Sequence, residues 1–497
     1  MILQGLLSCF SAQNLLTALL GTGVGIVIGA LPGLGANIAM TLALPLSFGR
    51  PPDTCLILLS SLYCGATYGG SISAILLNTP GTPASGATTY DGYPLARQGH
   101  GDIAIGLSTM SSFIGGIFGT VLLITMAPLV TRLVLAFGPP QSFLIAILSL
   151  CIVGALGENR IIKGLITCGL GMMFSFVGMD VITGYPRFSY GTWYLGDGMN
   201  VTAMMIGIFA ISEIMILMES GSGSISELAN PGKLRNVLKG CRMTLDYPAN
   251  LVKSSLIGSI IGAMPALGVT TASFLAYMTQ ANTKREGETP YGEGNVQGVI
   301  APESSNNAVT ATSLIPTLTM GIPGSSSMAI MLGAMTMHGL VPGPDLFAVN
   351  SELVYTVMSS FFLINIFMLV FGVLGGGYIS RITTIQNRLL APCVVVFCAV
   401  GAFALKGYWQ DVILALATGF LGYAMKKYDY PIIGFILGAI LGPIAERTFH
   451  QSLRISGGEI SIFFQGTISK VLALMIVIAI FWPGIRRVLQ RRKVKRA

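Results

Sequence analysis

Charge is what this sequence has least of. Only 10% of its 497 residues are Asp, Glu, Lys or Arg, against about 25% in a soluble domain. Residues 1–49, 54–90, 254–283 and 304–344 contain none of the four, which excludes a soluble globular enzyme. Other absences narrow the class further. There is no weak alternation of apolar and polar residues, so an outer-membrane barrel is excluded. The eight cysteines (Cys9, Cys55, Cys64, Cys151, Cys168, Cys241, Cys393, Cys398) form no CxxC pair and mostly lie in apolar runs. They read as small packing residues, not as disulfides or metal ligands. His100, His338 and His450 are far apart in the chain and no HExxH occurs, so no transition-metal site is indicated. No GxxxxGK[ST] loop exists, which excludes a primary pump on this chain. The apolar start lacks a basic n-region and a small-residue cleavage site, so residues 14–31 are expected to be a retained span.

What is present is apolar length. Hydrophobic residues make up 53% and mean hydropathy is +0.74. A helix needs about 20 apolar residues to cross hydrocarbon, and backbone groups in lipid must be satisfied internally. The fold class is therefore all-α and polytopic, with about 11–13 spans. Candidates are roughly 14–48, 54–78, 103–135, 141–157, 161–182, 201–219, 249–281, 304–341, 352–375, 385–405, 410–425, 430–445 and 466–483. Several are too long or too Pro-interrupted to be single straight helices. The organisation expected is a first half over 1–219, a basic linker over 220–247, a second half over 248–483, and a basic tail over 484–497.

The net charge of +8 is a topology signal here, not a nucleic-acid footprint. It concentrates in Arg486, Arg487, Arg491, Arg492, Lys493, Lys495 and Arg496, and in Lys233, Arg235, Lys239 and Arg242. Placing both clusters in the cytoplasm and alternating along the spans puts Lys426, Lys427, Arg381, Arg388, Arg160, Lys163 and Arg97 inside. The aromatic loop Tyr185–Tyr194 and the loop after His338 then fall outside.

Two segments repeat. Residues 25–39 read GIVIGALPGLGANIA and residues 258–272 read GSIIGAMPALGVTTA. Each half then carries a second break, Asn78-Thr79-Pro80-Gly81 in the first and Gly321-Ile322-Pro323-Gly324 in the second. The repeat cores span 14–100 and 249–344. The loops after the two PG breaks fall on opposite sides, so the repeats are expected to be inverted, with broken helices or re-entrant hairpins. Pro removes a backbone donor, Gly permits turns and close approach, and exposed peptide groups survive in hydrocarbon only where they are buried in protein or line a polar cavity. Half-helix N-termini suit carboxylates, while unwound carbonyls and hydroxyls suit Na⁺. Pro and Gly can also serve packing alone, and for the spaced glycines Gly21, Gly25, Gly29, Gly258 and Gly262 a close-contact seam is the favoured reading. For the paired breaks a binding site is favoured, because polar residues cluster beside them. Near the first lie Asn37, Thr82, Ser85, Thr88 and Thr89, and near the second Thr270, Thr271, Ser273, Thr319, Ser325, Ser326 and Ser327.

A third element is APESSNNA at 301–308. Glu303 at the mouth of a span is read as a cation ligand, a proton carrier or an interfacial cap. Asn306 and Asn307 enter an apolar run and need partners. Asp91-Gly92-Tyr93-Pro94 reads as a loop, with an ordinary turn as the alternative.

At these residues the chain resembles the large membrane subunit of tripartite tricarboxylate transporters, the TctA family. The matching signatures are GALPGLGAN at 29–37, LLNTPGTPAS at 76–85 with DGYPLARQG at 91–99, APESSNNA at 301–308, and TMGIPGSSSMAIMLGAM followed by HGLVPGP at 319–344. The resemblance implies a bacterial inner-membrane carrier working with a small membrane subunit and a periplasmic solute-binding protein that delivers a carboxylate. Citrate and other tricarboxylates are the namesake, and dicarboxylates and aromatic acids stay open. It also implies cation symport, usually with Na⁺, and an elevator-like movement, with no organic cofactor. The residues expected to hold substrate are Pro32, Gly33, Gly35, Asn37, Asn78, Thr79, Pro80, Gly81, Thr82, Gly321, Pro323, Gly324, Ser325 and Ser326. Those expected to serve the cation are Pro265, Gly268, Thr270, Thr271, Glu303, Asn306 and Asn307. The alternatives are an intramembrane serine-type enzyme, using Ser325–Ser327 with His338 as base, and a passive anion channel.

Overall fold

The computed structural model describes residues 2–31, 33–135, 137–156, 161–180, 183–219, 233–265, 267–283, 289–379 and 387–479. Pro32, Arg160, Arg381, the linker's first part (220–232) and the basic tail lie outside them. In chain order the first helices are α1 (Ile2–Cys9), α2 (Ala12–Ala30), α3 (Gly35–Ser47), α4 (Pro52–Leu77), α5 (Gly86–Leu95) and α6 (Gly101–Val134). Then come α7 (Pro139–Leu156), α8 (Ile161–Ser175), a short antiparallel pair β1 (Gly178–Met179) and β2 (Pro186–Arg187), α9 (Trp193–Gly196) and α10 (Val201–Met205). Next are α11 (Ser212–Glu219), α12 (Leu234–Thr244) in the linker and, in the second half, α13 (Pro248–Ala263), α14 (Gly268–Ala281), α15 (Val296–Thr312) and α16 (Leu314–Met320). It closes with α17 (Ser326–Met337), α18 (Pro344–Val349), α19 (Ser351–Ile379), α20 (Asn387–Lys406), α21 (Trp409–Lys427) and α22 (Ile432–Ile455).

The all-α reading holds, and the chain is a multi-pass membrane protein. Among the described residues, six helical stretches are long and apolar enough to cross a bilayer: 12–30, 52–77, 83–134, 201–219, 351–375 and 432–455. The candidates 14–48 and 249–281 are each split at their P-x-L-G sequence into a pair, α2 with α3 and α13 with α14. The DGYP segment is corrected. It is not a loop but lies within α5, where Pro94 withholds one helical N–H just before the π-helical turn 96–100.

The chain forms two compact units, one from 1–131 and 209–408 and the other from 132–208 and 409–497. In the first, α4 and α15 are buried along nearly their whole length. Association in lipid gains little from the hydrophobic effect, so close van der Waals contact has to replace it. Glycine supplies that contact. A Cβ at Gly25 would lie 2.8 Å from the Leu62 carbonyl oxygen, and one at Gly65 would lie 2.5 Å from that of Thr22. At Gly29 and Gly69 it would collide with the carbonyls of Ala66 and Ile26. The spaced glycines are thus a backbone-on-backbone seam between α2 and α4. Gly258 and Gly262 do the same for α13 against Ser305 and Val309 of α15. The outward faces of helices such as α20 are apolar, with Val396, Phe397, Val400 and Phe403 exposed.

In the second unit α22 packs on α7 and α8, again through glycine: a Cβ at Gly171 or Gly438 would strike the Phe435 or Cys168 carbonyl. The loop between α8 and α10 is fastened by Arg187, whose guanidinium pairs with Glu446 at 2.7 Å and Asp180 at 3.0 Å. Asp411 of α21 accepts from Tyr194 at 2.7 Å and Asn200 at 3.1 Å.

Gly29→Ala and Gly69→Ala should each destabilise the protein by about 1–3 kcal/mol, the usual cost of overpacking. Gly169→Ala, which lies inside α8 and meets nothing within 4 Å, should not lower stability and should raise it by up to about 1 kcal/mol. Melting temperatures of the purified variants check both.

Candidate functional site

At their described flanking positions the paired breaks share backbone conformations. After α2, Leu31 turns extended (φ −76°, ψ 118°), and after α13, Met264 does likewise (φ −89°, ψ 128°). The next half-helices, α3 and α14, begin with left-handed glycines, Gly35 at φ 59° and Gly268 at φ 69°. Only glycine adopts that conformation without strain. The second breaks match too. α4 ends on Asn78 (φ 56°, ψ 21°) and α16 on Gly321 (φ 70°, ψ 22°). Asn tolerates the left-handed region better than other side chains, which is why it can stand where the other repeat has Gly. The chain then runs extended through Thr82 and Ser325 before turning helical again.

Each second break lies on the glycine that ends the first. Gly81 approaches the Gly29 carbonyl so closely that no Cβ would fit, and its N–H bonds the Gly70 carbonyl at 3.2 Å. A Cβ at Gly324 would sit 3.0 Å from the Gly262 carbonyl oxygen. The remaining tip contacts run between the two repeats. The Asn37 amide of α3 donates to Ser326 Oγ at 3.1 Å, and Ser327 Oγ donates to Asn37 Oδ1 at 2.7 Å. In the other repeat Ser273 of α14, one turn beyond Thr270, the equivalent of Asn37, donates to the Ala84 carbonyl at 2.7 Å, in the turn that opens α5. Tyr63 of α4 lies 3.5 Å from Ser325 Oγ. So the first turns of α3 and α17 meet. Neither α3 nor α14 has a side-chain cap at its N-terminus, leaving first-turn N–H groups for another acceptor.

The structure brings together Gly35, Asn37, Gly81, Gly268, Ser325 and Ser326 from the expected set, with Gly35 and Gly268 facing the second breaks. Thr82 is buried and closes a capping box with Ser85, while Gly321, Pro323 and Gly324 are buried at the other tip. Asn78, Thr79 and Pro80 are exposed, as are Thr270 and Thr271, the latter donating to its own helix at the Leu267 carbonyl. Gly33 and Pro265 are half-buried in the breaks, and Pro32 lies outside the described residues. Sequence reasoning missed Tyr63, because an isolated Tyr in an apolar run carries no local signal. It weighed Ser325–Ser327 as a nucleophile, yet among the described residues their bonds go to Asn37, Tyr63 and the Met328 N–H, and none to a histidine.

Glu303 is corrected on one point. It is not an interfacial cap but sits mid-helix in α15, fully buried. Its carboxylate accepts from Thr88 of α5 and from Ser108 and Ser112 of α6, the last two at 2.9 and 3.0 Å. Glu303, Asn306, Asn307 and Thr310 fall on one helix face by spacing. Asn307 donates to Met368 Sδ at 3.0 Å, and Cys64 reaches Thr310 at 3.2 Å. Both amide atoms of Asn306, Asn307 Oδ1 and Ser305 Oγ are buried without a partner. Such orphans each cost about 1–3 kcal/mol unless something fills the gap. Asp91 is a third buried carboxylate feature. Its Oδ1 accepts from the N–H groups of Gly292, Gly294 and Asn295 at 2.8, 3.0 and 2.8 Å, and Oδ2 from Tyr277 at 2.9 Å. It pins α5 to the turn that opens α15.

The second unit holds a cavity of about 270 Å³ lined in part by Arg187, Asp197 and Glu446. Its one arginine is already paired with two carboxylates, so it has no cation to offer an anionic solute.

Comparison with known proteins agrees with the sequence motifs. The model of the tripartite tricarboxylate transporter TctA family matches residues 15–437. An uncharacterized 52.8 kDa protein in the TAR-I ttuC' 3'region of Agrobacterium vitis is 31% identical over 485 residues, covering 97% of this chain and 96% of that one. An uncharacterized protein in the TAR-II ttuC' 3'region of the same organism is 32% identical over 232 residues, 46% of this chain and 96% of its own length. No solved structure matches.

Asp91→Ala should strand the three amides that meet its Oδ1. A loss of about 2–5 kcal/mol is expected, with hydrogen exchange rising first at 289–296. Unchanged protection there would show that the turn holds itself.

Proposed function

Because the chain belongs to the tripartite tricarboxylate transporter TctA family, we propose that it is the permease subunit of a cation-driven carrier that takes up an organic carboxylate. A tripartite system works with other subunits. Here these are a small membrane subunit and a periplasmic binding protein that hands over the solute, at the inner membrane with the C-terminus in the cytoplasm.

The carboxylate is held where the first turns of α3 and α17 meet. Its partners there are Asn37, Ser325, Ser326 and uncapped backbone amides at the Gly33–Gly35 break. Tricarboxylates and dicarboxylates both fit such a site, because helix-end amides and hydroxyls recognise the carboxylate group and not the carbon skeleton. The observation that carries this reading is the two-bond link between Asn37 and Ser326 and Ser327, which joins two uncharged helix starts across the repeats. Dipoles and amides serve better than Lys or Arg in a carrier, since a solute bound by full charge in a low dielectric is slow to leave.

Na⁺ is the coupling ion, and the Glu303, Asn306 and Asn307 face is where it acts. Among the described residues no basic side chain pairs with Glu303, so an ionised Glu303 would be a bare buried charge. A cation there is also what the unpartnered Asn306 and Asn307 oxygens lack. Thr88, which bonds Glu303, sits on α5 directly after the Pro80-Gly81 tip. Filling the cation site orders that tip, and the carboxylate then binds an ordered tip. Each ligand raises the other's affinity by the same factor. An elevator-like shift of the paired breaks carries both across.

Reconstituted uptake of a carboxylate panel, with and without a Na⁺ gradient, tests the reading. Asn37→Ala should cut uptake at least about tenfold while still inserting and folding. Glu303→Gln should abolish Na⁺-driven accumulation. Wild-type accumulation by either variant, or uptake indifferent to the gradient as in a channel, would contradict it.

A further inference from the structure

The basic residues ahead of α13 have so far served only as a topology signal. Helix α12 gives them a fixed surface. One face is docked on the start of α6: Val237, Gly240 and Thr244 are buried. Glycines set the spacing, since a Cβ at Gly106 would strike the Val237 carbonyl and one at Gly240 the Ile103 carbonyl. Asn236 donates to Asp102 Oδ2 at 2.6 Å, Cys241 to the Gly106 carbonyl at 3.4 Å and Thr244 to the Leu107 carbonyl at 3.5 Å. The helix cannot roll.

Helical spacing sorts the rest into two stripes. Leu234, Leu238 and Leu245 form one, exposed by 49%, 51% and 52%. Arg235, Lys239 and Arg242 form the next, also exposed, and no ion pair to them occurs among the described residues. Three leucines left open beside three unpaired cations is a poor face for water. It suits the boundary between acyl chains and anionic headgroups. The position agrees, because α12 abuts the first turns of α6, which begin at Gly101 within the apolar 83–134 stretch, and α13 starts at Pro248.

We propose that α12 is an in-plane helix that binds anionic phospholipid, its leucines in the acyl boundary and Arg235, Lys239 and Arg242 on the headgroup phosphates. The face is independent of the carboxylate site, and it ties the α6 end of the first unit to the membrane surface.

The full-length protein is purified from neutral detergent supplied with equal phosphatidylglycerol and phosphatidylcholine, and the lipid that stays with it is counted by mass spectrometry. Wild type should retain phosphatidylglycerol preferentially. Arg235→Gln/Lys239→Gln/Arg242→Gln should lower that preference roughly ten- to hundredfold, while Arg235→Lys/Arg242→Lys keeps it. Should the triple variant fail to fold, wild type washed in 1 M NaCl, where the Debye length is about 3 Å, gives the same comparison. An unchanged preference in the neutral variant or in high salt overturns the proposal. So does loss of the lipid to millimolar inorganic phosphate, which would mark a free-anion site, or retention of an oligonucleotide in its place.

Discussion

A helix interrupted inside a membrane leaves peptide groups that water cannot reach, and everything else here depends on how they are met. Glycine answers that constraint twice. It lets α2 lie on α4, and α13 on α15, at backbone contact, and it lets the Gly81 and Gly324 tips settle onto Gly29 and Gly262. Without that close approach the tips would stand off, and the amides of their breaks would face hydrocarbon. The glycine seam and the proposed binding site are one construction.

The interior that results mixes polar with apolar side chains. α4 and α15 bury serines, threonines and, in α15, Asn306, Asn307 and Glu303 beside leucines, isoleucines and valines, while other large apolar side chains look outward. In lipid such a mixture is tolerated, because apolar side chains gain little by hiding from that solvent. It also suits the mechanism proposed. Hydroxyls around Glu303 and amides at the α3 start are weak, exchangeable partners of the kind that a site which must both hold and release an ion and an acid requires.

Much of this was legible in the sequence where Pro and Gly spelled it. Both breaks in each half, the all-helical membrane class and the spaced-glycine seam follow from residue type and spacing. What was not legible is tertiary. Asn37 and Ser326 are 289 positions apart, and nothing local in Tyr63 marks it as a neighbour of Ser325. Asp91-Gly92-Tyr93-Pro94 has the composition of a turn, yet it is helical because the 292–295 amides hold the Asp91 side chain, so it does not cap its own backbone. Glu303 follows a proline and so resembled a helix start, but α15 begins earlier, capped by Asn295, and carries Pro302 inside it.

Central to the proposed transport is that a single solute contacts both repeats at their breaks. Hydrogen exchange on the purified protein, with Na⁺ present and with and without a transported carboxylate, tests it most directly. Slowed exchange is expected at 33–38 and at 321–328 together. Protection confined to one of these segments, or found elsewhere with both unchanged, would contradict it.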